Sequence, residues 1–203
     1  MFSEDINYKN RYSLSEVLSL GVSLFFTKLF YKRAKLITYP VYMRGKKSLE
    51  YGNNLSIGHG CRFDLINPQK KTLFIGENCE IGDYCHFVAT NRIEIGDGFL
   101  CASKVFISDT EHGCYSGEVC SSPNEPPKER KLYSKPVSIG KNVWIGDNVV
   151  VLAGSAIGDG CIIGANAVVN GVIEDRSIAV GTPARVIKRW SEKNNKWERI
   201  LKK

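Results

Sequence analysis

The chain has 203 residues and an ordinary apolar content of 43%, enough for one well-filled domain with an appended element. Its formal net charge of +7 suits anionic ligands, phosphate-bearing cofactors, nucleic acid or an acidic membrane surface. No nucleic-acid reader motif accompanies that charge, and the early apolar run lacks the processing site of a cleavable secretion signal, so both are set aside.

Residues 1–12 are polar and are expected to be poorly fixed. Ser13, with Glu16 three residues on, is a capping box that opens a helix reaching to about Lys35. Leu14, Val17, Leu18, Leu24, Phe25, Leu29 and Phe30 give it a broad apolar surface. Lys28 interrupts the run and Lys32, Arg33 and Lys35 border it, leaving it short of the ~20 apolar residues of a spanning helix. Two readings stay open: a helix packed on the rest of the protein or a neighbouring subunit, and one resting on an anionic membrane surface. Tyr39-Pro40 ends the helical region.

From Ile57 onward an apolar residue, often followed by glycine, recurs at six-residue steps that are ragged at first, with Phe63 and Phe87 in the series and an irregular piece from Asn67 to Lys71. The register is cleanest from Val137 to Val169, where Ile139, Ile145, Val151, Ile157, Ile163 and Val169 keep strict phase. Neither a helix (3.6) nor a lone strand (2) has this period. Short strands separated by corners do, and three of them close an 18-residue triangular coil that stacks on its neighbours ~4.8 Å apart. The aliphatic residue then fills the interior, and glycine answers backbone conformation or close stacking. Cys61, Cys79, Cys85 and Cys161 each follow an anchor by four residues, which makes them small interior fillers. Two extra residues near Ala89 to Asn91 should bulge at a corner without changing which side chains face inward.

The repeat stops after Ile107-Ser108, and residues 109–134 form an excursion rich in charge and proline. A loop this long inside a compact domain calls for a functional or interfacial role, here a flap over a polar site. Three histidines are present. His59 and His86 sit in or beside repeat corners, and His112 stands at the start of the excursion, three residues after Asp109. A neutral imidazole at such a break can take a proton from an alcohol. The division expected is 1–50 for a helical lead-in, 51–184 for the prism and 185–203 for a short basic terminal helix that includes Lys202 and Lys203.

The Ile-Gly repeats, ISDTEHG, PVSIGKNVWIGDNVVVLAG and VGTPARVIKR together resemble the hexapeptide-repeat acyltransferases, and most nearly the sugar O-acetyltransferases, over roughly Asn54 to Lys188. The resemblance implies an all-β core, a left-handed parallel β-helix, usually in a homotrimer with active sites between subunits. It implies acetyl-CoA as co-substrate, no catalytic metal, and His112 as general base. Trp144 corresponds to a residue near both acceptor and thioester arm. Asp147, Ala165, Asn170, Gly171, Arg185 and Lys188 fall at cofactor-side positions, with Arg185 toward the nucleotide end. Asp147 stands where a small hydroxyl residue is common, and Asn170-Gly171 replaces a threonine-lysine pair. On the acceptor side are His86 and Asn91, with Asp109 either binding sugar hydroxyls or orienting the base, the former slightly preferred, and Val88 occupies the place of the sugar-binding asparagine. The acceptor expected is a sugar, glycan or lipid-linked glycan of a bacterial surface polysaccharide such as O-antigen, capsule or exopolysaccharide. The expected location is the cytoplasm, at the inner face of the membrane if the helix contacts lipid. An N-acetyltransferase acting on a nucleotide-linked amino sugar and a non-catalytic scaffold are the alternatives. A β-helix carbonic anhydrase would need three histidines converging on zinc, and the spacing of His59, His86 and His112 speaks against it.

Overall fold

A computed structural model describes residues 12–118 and 120–200. The expectations for residues 1–11 and for Lys202 and Lys203 lie outside them. The described chain is a left-handed parallel β-solenoid of about seven coils with one N-terminal helix. Its short strands form three stacked faces, called here A, B and C in the order each coil visits them. Face A holds nine strands, and faces B and C hold six each.

Each face builds one interior column. Ile57, Ile81, Cys101, Ile145, Ile163 and Ala179 stack in register inside face A. Met43, Phe63, Phe87, Ile107, Val151 and Val169 do so inside face B. Tyr51, Ile75, Ile95, Ile139, Ile157 and Ile173 complete face C. The six-residue anchors are therefore all core, and Phe63 and Phe87 stack with ring centroids 5.1 Å apart. Burying each such ring is worth ~2–3 kcal/mol. Cys61, Cys79, Cys85 and Cys161 are buried as expected, and each thiol also donates to a carbonyl of the next coil, at 3.0, 3.3, 3.3 and 3.1 Å in that order. The insertion at Ala89 leaves Phe87, Ala89, Ile93 and Ile95 all facing inward.

The corners explain the rest of the repeat. A Cβ on Gly96 would lie 2.7 Å from the backbone of Gly140 in the next coil, so stacking excludes a side chain there. A second corner position takes left-handed backbone, and asparagine fills it at Asn54, Asn78, Asn142, Asn148 and Asn166. Aspartates then tie coil to coil: Asp83, Asp97, Asp147, Asp159 and Asp175 each accept a backbone N–H from the coil before, at 2.7–3.0 Å.

The helix, α1, spans Leu14–Phe30 and begins on the capping box of Ser13 and Glu16. It stops sooner than expected, because Leu36–Ile37 is drawn into face A against Ser56–Ile57 and the Lys46 ammonium takes the Phe30 carbonyl at 2.9 Å. Its orientation also differs from a helix packed by its apolar side. Only Ser23 and Thr27 are buried. The Thr27 hydroxyl accepts from Ile37 N–H (2.9 Å) and lies 3.3 Å from the Ile37 carbonyl, and the Ser23 hydroxyl accepts from Tyr39 N–H (3.2 Å). An outermost strand has unpaired backbone groups, and the helix meets them with its two hydroxyls.

At the other end the expected terminal helix is a β-hairpin. Arg185–Ser191 pairs antiparallel with Ser177–Val180 and with Lys196–Arg199. The open edge of the last coil offers a full ladder of hydrogen bonds that an isolated basic helix would leave unused, and Trp190 packs edge-on against Trp197 at 5.5 Å.

Candidate functional site

Asp109 is the root of the excursion. Its fully buried carboxylate accepts the backbone N–H groups of Thr90 (2.9 Å), Asn91 (2.8 Å) and Arg92 (2.7 Å). The hydroxyls of Thr90 (3.2 Å) and Thr110 (2.6 Å) donate to it as well. A carboxylate so enclosed has no capacity to bind a sugar, which corrects its placement among acceptor ligands. Instead it fastens the excursion to the bulged corner below. Lys135 N–H donates to the Asp109 carbonyl at 2.9 Å, so both feet of the excursion meet at one residue.

From that root Thr110–His112 pairs antiparallel with Leu132–Ser134, His112 standing opposite Leu132. The His112 carbonyl accepts from the Tyr115 hydroxyl, which in turn accepts from Arg130 at 2.9 Å. The backbone of His112 is thus held by the Leu132 strand and the Tyr115 hydroxyl, whereas its side chain is exposed and its ring nitrogens have no hydrogen-bond partner among the described residues. The other two imidazoles are engaged. His59 Nδ1 donates to the Tyr39 carbonyl (3.1 Å), and His86 Nε2 donates to Asp64 (3.0 Å).

That last contact belongs to a cluster on the outer side of face B which sequence reasoning missed. Asp64 is 5% exposed and also accepts from Arg62 Nε (2.7 Å) and pairs with Arg44 (3.0 Å). The hydrogen bond from Arg62 chiefly holds its carboxyl below the usual carboxylate range. The signal was available in register: Arg44, Asp64 and Val88 stand side by side, as do Arg62 and His86.

The remaining predicted residues fall into two groups. His112, Asp109, Asn91, Asn170 and Gly171 all lie at the corner where the chain passes from face B to face C. Asn91 there accepts from Lys70 at 2.7 Å. Trp144 stands half-exposed on the outside of face A, between Leu100 and Ile162 in the same row. Arg185 and Lys188 lie on the hairpin that extends face A, and Asp147 and Ala165 turn the corner from face A to face B. The Asp147 carboxylate is exposed and accepts from Ser103 N–H at 2.9 Å, as part of the corner ladder. In a triangular column the corner between B and C lies across from face A. One chain therefore presents the imidazole and the Trp144–Arg185 surface on opposite sides. A cleft of about 630 Å³ on face C contains neither group; Arg33, Glu50, Phe74, Ser138 and Lys141 are among its lining, with no histidine or cysteine.

Residues 136–171 match the family model described as bacterial transferase hexapeptide (six repeats). The chain is 38% identical over 190 residues to an Escherichia coli (strain K12) protein, WbbJ, named for lipopolysaccharide biosynthesis O-acetyl transfer. That match covers 93% of this chain and 96% of WbbJ. It is 37% identical over 102 residues to the galactoside O-acetyltransferase of the same organism, covering 50% of this chain and 46% of that one. Among solved structures, a variant of AntD, an N-acyltransferase from Bacillus cereus, in complex with dTDP-4-amino-4,6-dideoxyglucose and coenzyme A, superposes with a TM-score of 0.66 at 26% identity. The superposition covers 79% of this chain and 84% of that one. With the interior columns, the corner chemistry and a near full-length relative in agreement, this chain belongs to the hexapeptide-repeat acetyltransferases.

Proposed function

We propose that the protein transfers the acetyl group of acetyl-CoA to a sugar hydroxyl during synthesis of a bacterial surface polysaccharide, with His112 as general base. The observation that carries this reading is an exposed, unengaged imidazole on a backbone clamped by Asp109, Tyr115 and the Leu132 strand. General-base catalysis needs an unengaged ring nitrogen that can accept a proton, carried on a backbone whose place is set. The near full-length similarity to WbbJ supports the acceptor class.

The chemistry is one direct transfer. The acceptor hydroxyl hydrogen-bonds to His112 Nε2, which removes its proton as the oxygen attacks the thioester carbonyl. Backbone N–H groups stabilise the oxyanion of the tetrahedral intermediate. Collapse breaks the carbon–sulfur bond, and the imidazolium returns the proton to the departing coenzyme A thiolate. The Trp144 surface flanks the thioester arm, with Ala165 along it, and Arg185 and Lys188 face the phosphates. One chain holds these groups across the column from His112, which supports a homotrimer in which one subunit's excursion meets its neighbour's face A. The protein acts on the cytoplasmic side, at the inner membrane face where a lipid-linked acceptor would be presented.

His112→Ala is expected to lower kcat by ~10²–10⁴-fold, with melting temperature and assembly mass unchanged. Turnover within about tenfold of wild type would remove the assignment. Product analysis with free sugars, nucleotide sugars and glycans identifies the acceptor. The likeness to AntD favours a second reading, N-acylation of a nucleotide-linked amino sugar. An amino sugar and its hydroxyl counterpart assayed in parallel separate the two.

A further inference from the structure

The helix α1 is inside out. Its hydroxyl-bearing side faces the column, where Ser23 and Thr27 occupy the edge groups of Ile37 and Tyr39. That attachment turns a row of large apolar side chains away from the protein: Leu14, Leu18, Val22, Phe25 and Leu29 are 55–77% exposed. Flanking them, Val17, Leu24 and Phe30 are exposed as well. A surface of this kind on a fixed element marks a contact with something else.

Charge identifies what that is. Between residues 14 and 47 the chain carries seven lysines and arginines and one acid, Glu16. Lys28 is on the helix itself and Lys32 and Lys35 follow it directly. Lys46 holds the helix end, its ammonium 3.9 Å from the centre of the Tyr31 ring and 5.5 Å from that of Phe30. Lys32, Lys35 and Lys47 make no ion pair among the described residues. A second copy docking here would bring the same cations to the same place, with only Glu16 to meet them. An anionic bilayer supplies the opposite sign and an apolar layer together. No helix of the described residues is long and apolar enough to cross a membrane, and α1 at ~25 Å is suited to lying along one.

We propose that the outward side of α1 docks the protein on an anionic lipid surface, its apolar row entering the acyl boundary and its lysines meeting the headgroups. This deepens the proposed location at a membrane face, and it stands on the helix alone, so binding is read without any acetyl transfer. The full chain is sedimented with vesicles of phosphatidylcholine and phosphatidylglycerol in equal parts, and with vesicles of phosphatidylcholine alone. Wild type is expected to pellet with the mixed vesicles at least about tenfold more than with the neutral ones, and to be released by high salt. The double variant Leu18→Ser, Phe25→Ser should stay in the supernatant while its solution mass and helical signal stay as in wild type. A second variant, Lys28→Gln with Lys32→Gln and Lys35→Gln, should lose most of the preference for the anionic vesicles. Wild type remaining in the supernatant, or pelleting equally with both vesicles, would overturn the proposal. So would a smaller solution mass for the serine variant, since the row would then be buried against another copy.

Discussion

Asp109 and Asp64 are both withdrawn from water, and each is used differently. Asp109 collects three backbone N–H groups and two hydroxyls, so it acts on His112 through the chain between them. Asp109→Ala leaves those amides without their acceptor and is expected to cost ~3 kcal/mol in urea unfolding, with a parallel fall in turnover. Had Asp109 bound the acceptor, the change would appear as a raised KM at an unaltered unfolding midpoint. Asp64 is held ionised by Arg62, His86 and Arg44. Its folded-state pKa is lowered, so its contribution is complete above the unfolded value near ~4 and is lost as pH falls through the folded value. Asp64→Asn should therefore be less stable than wild type by ~2 kcal/mol at neutral pH, and the difference should shrink below about pH 4 and close in strong acid. Thermal melts of the two proteins across that range read this directly.

At the scale of elements, the six-residue anchors were legible because each names one interior site and needs no partner to be recognised. His112 stood out as a candidate because it is an imidazole at a break in that rhythm, and it lies exposed on the excursion's first strand. The corner aspartates belong to the same repeat, yet an aspartate after Ile-Gly acquires its meaning only when the coil behind offers an N–H. The orientation of α1 was hidden for a similar reason: apolar content dictates that a helix has an apolar side, but the bare edge at Ile37 decides which side turns inward. The tail read as a helix because lysine and arginine favour one in isolation. Pairing with Ser177–Val180 overrode that preference, and the Asn194-Asn195 turn between Trp190 and Trp197 was the available clue. Removing residues 192–200 is expected to expose the Arg185–Ser191 edge, giving earlier aggregation on heating, measured by light scattering. Trp190→Ala in the intact chain should instead lose ~2 kcal/mol without that aggregation.

For the whole molecule, the separation of His112 from the Trp144–Arg185 surface within one chain gives the proposed trimer a genetic signature. A His112→Ala subunit keeps an intact face A, and a Trp144→Ala subunit keeps an intact excursion. Each variant alone should be inactive or nearly so. Unfolded together and refolded as a mixture, they should regain activity at roughly one quarter of the sites, where a sound excursion meets a sound face. No recovery would mean that each chain builds its own site. The two ends of the column differ from its middle in kind. Any inner storey resembles the next, whereas the footing formed by Ser23 and Thr27 and the reversed ribbon at Arg199 occur once each. Height is consequently an adjustable quantity: splicing one more 18-residue storey between them should raise the distance from footing to ribbon by ~4.8 Å and leave both terminations as they are.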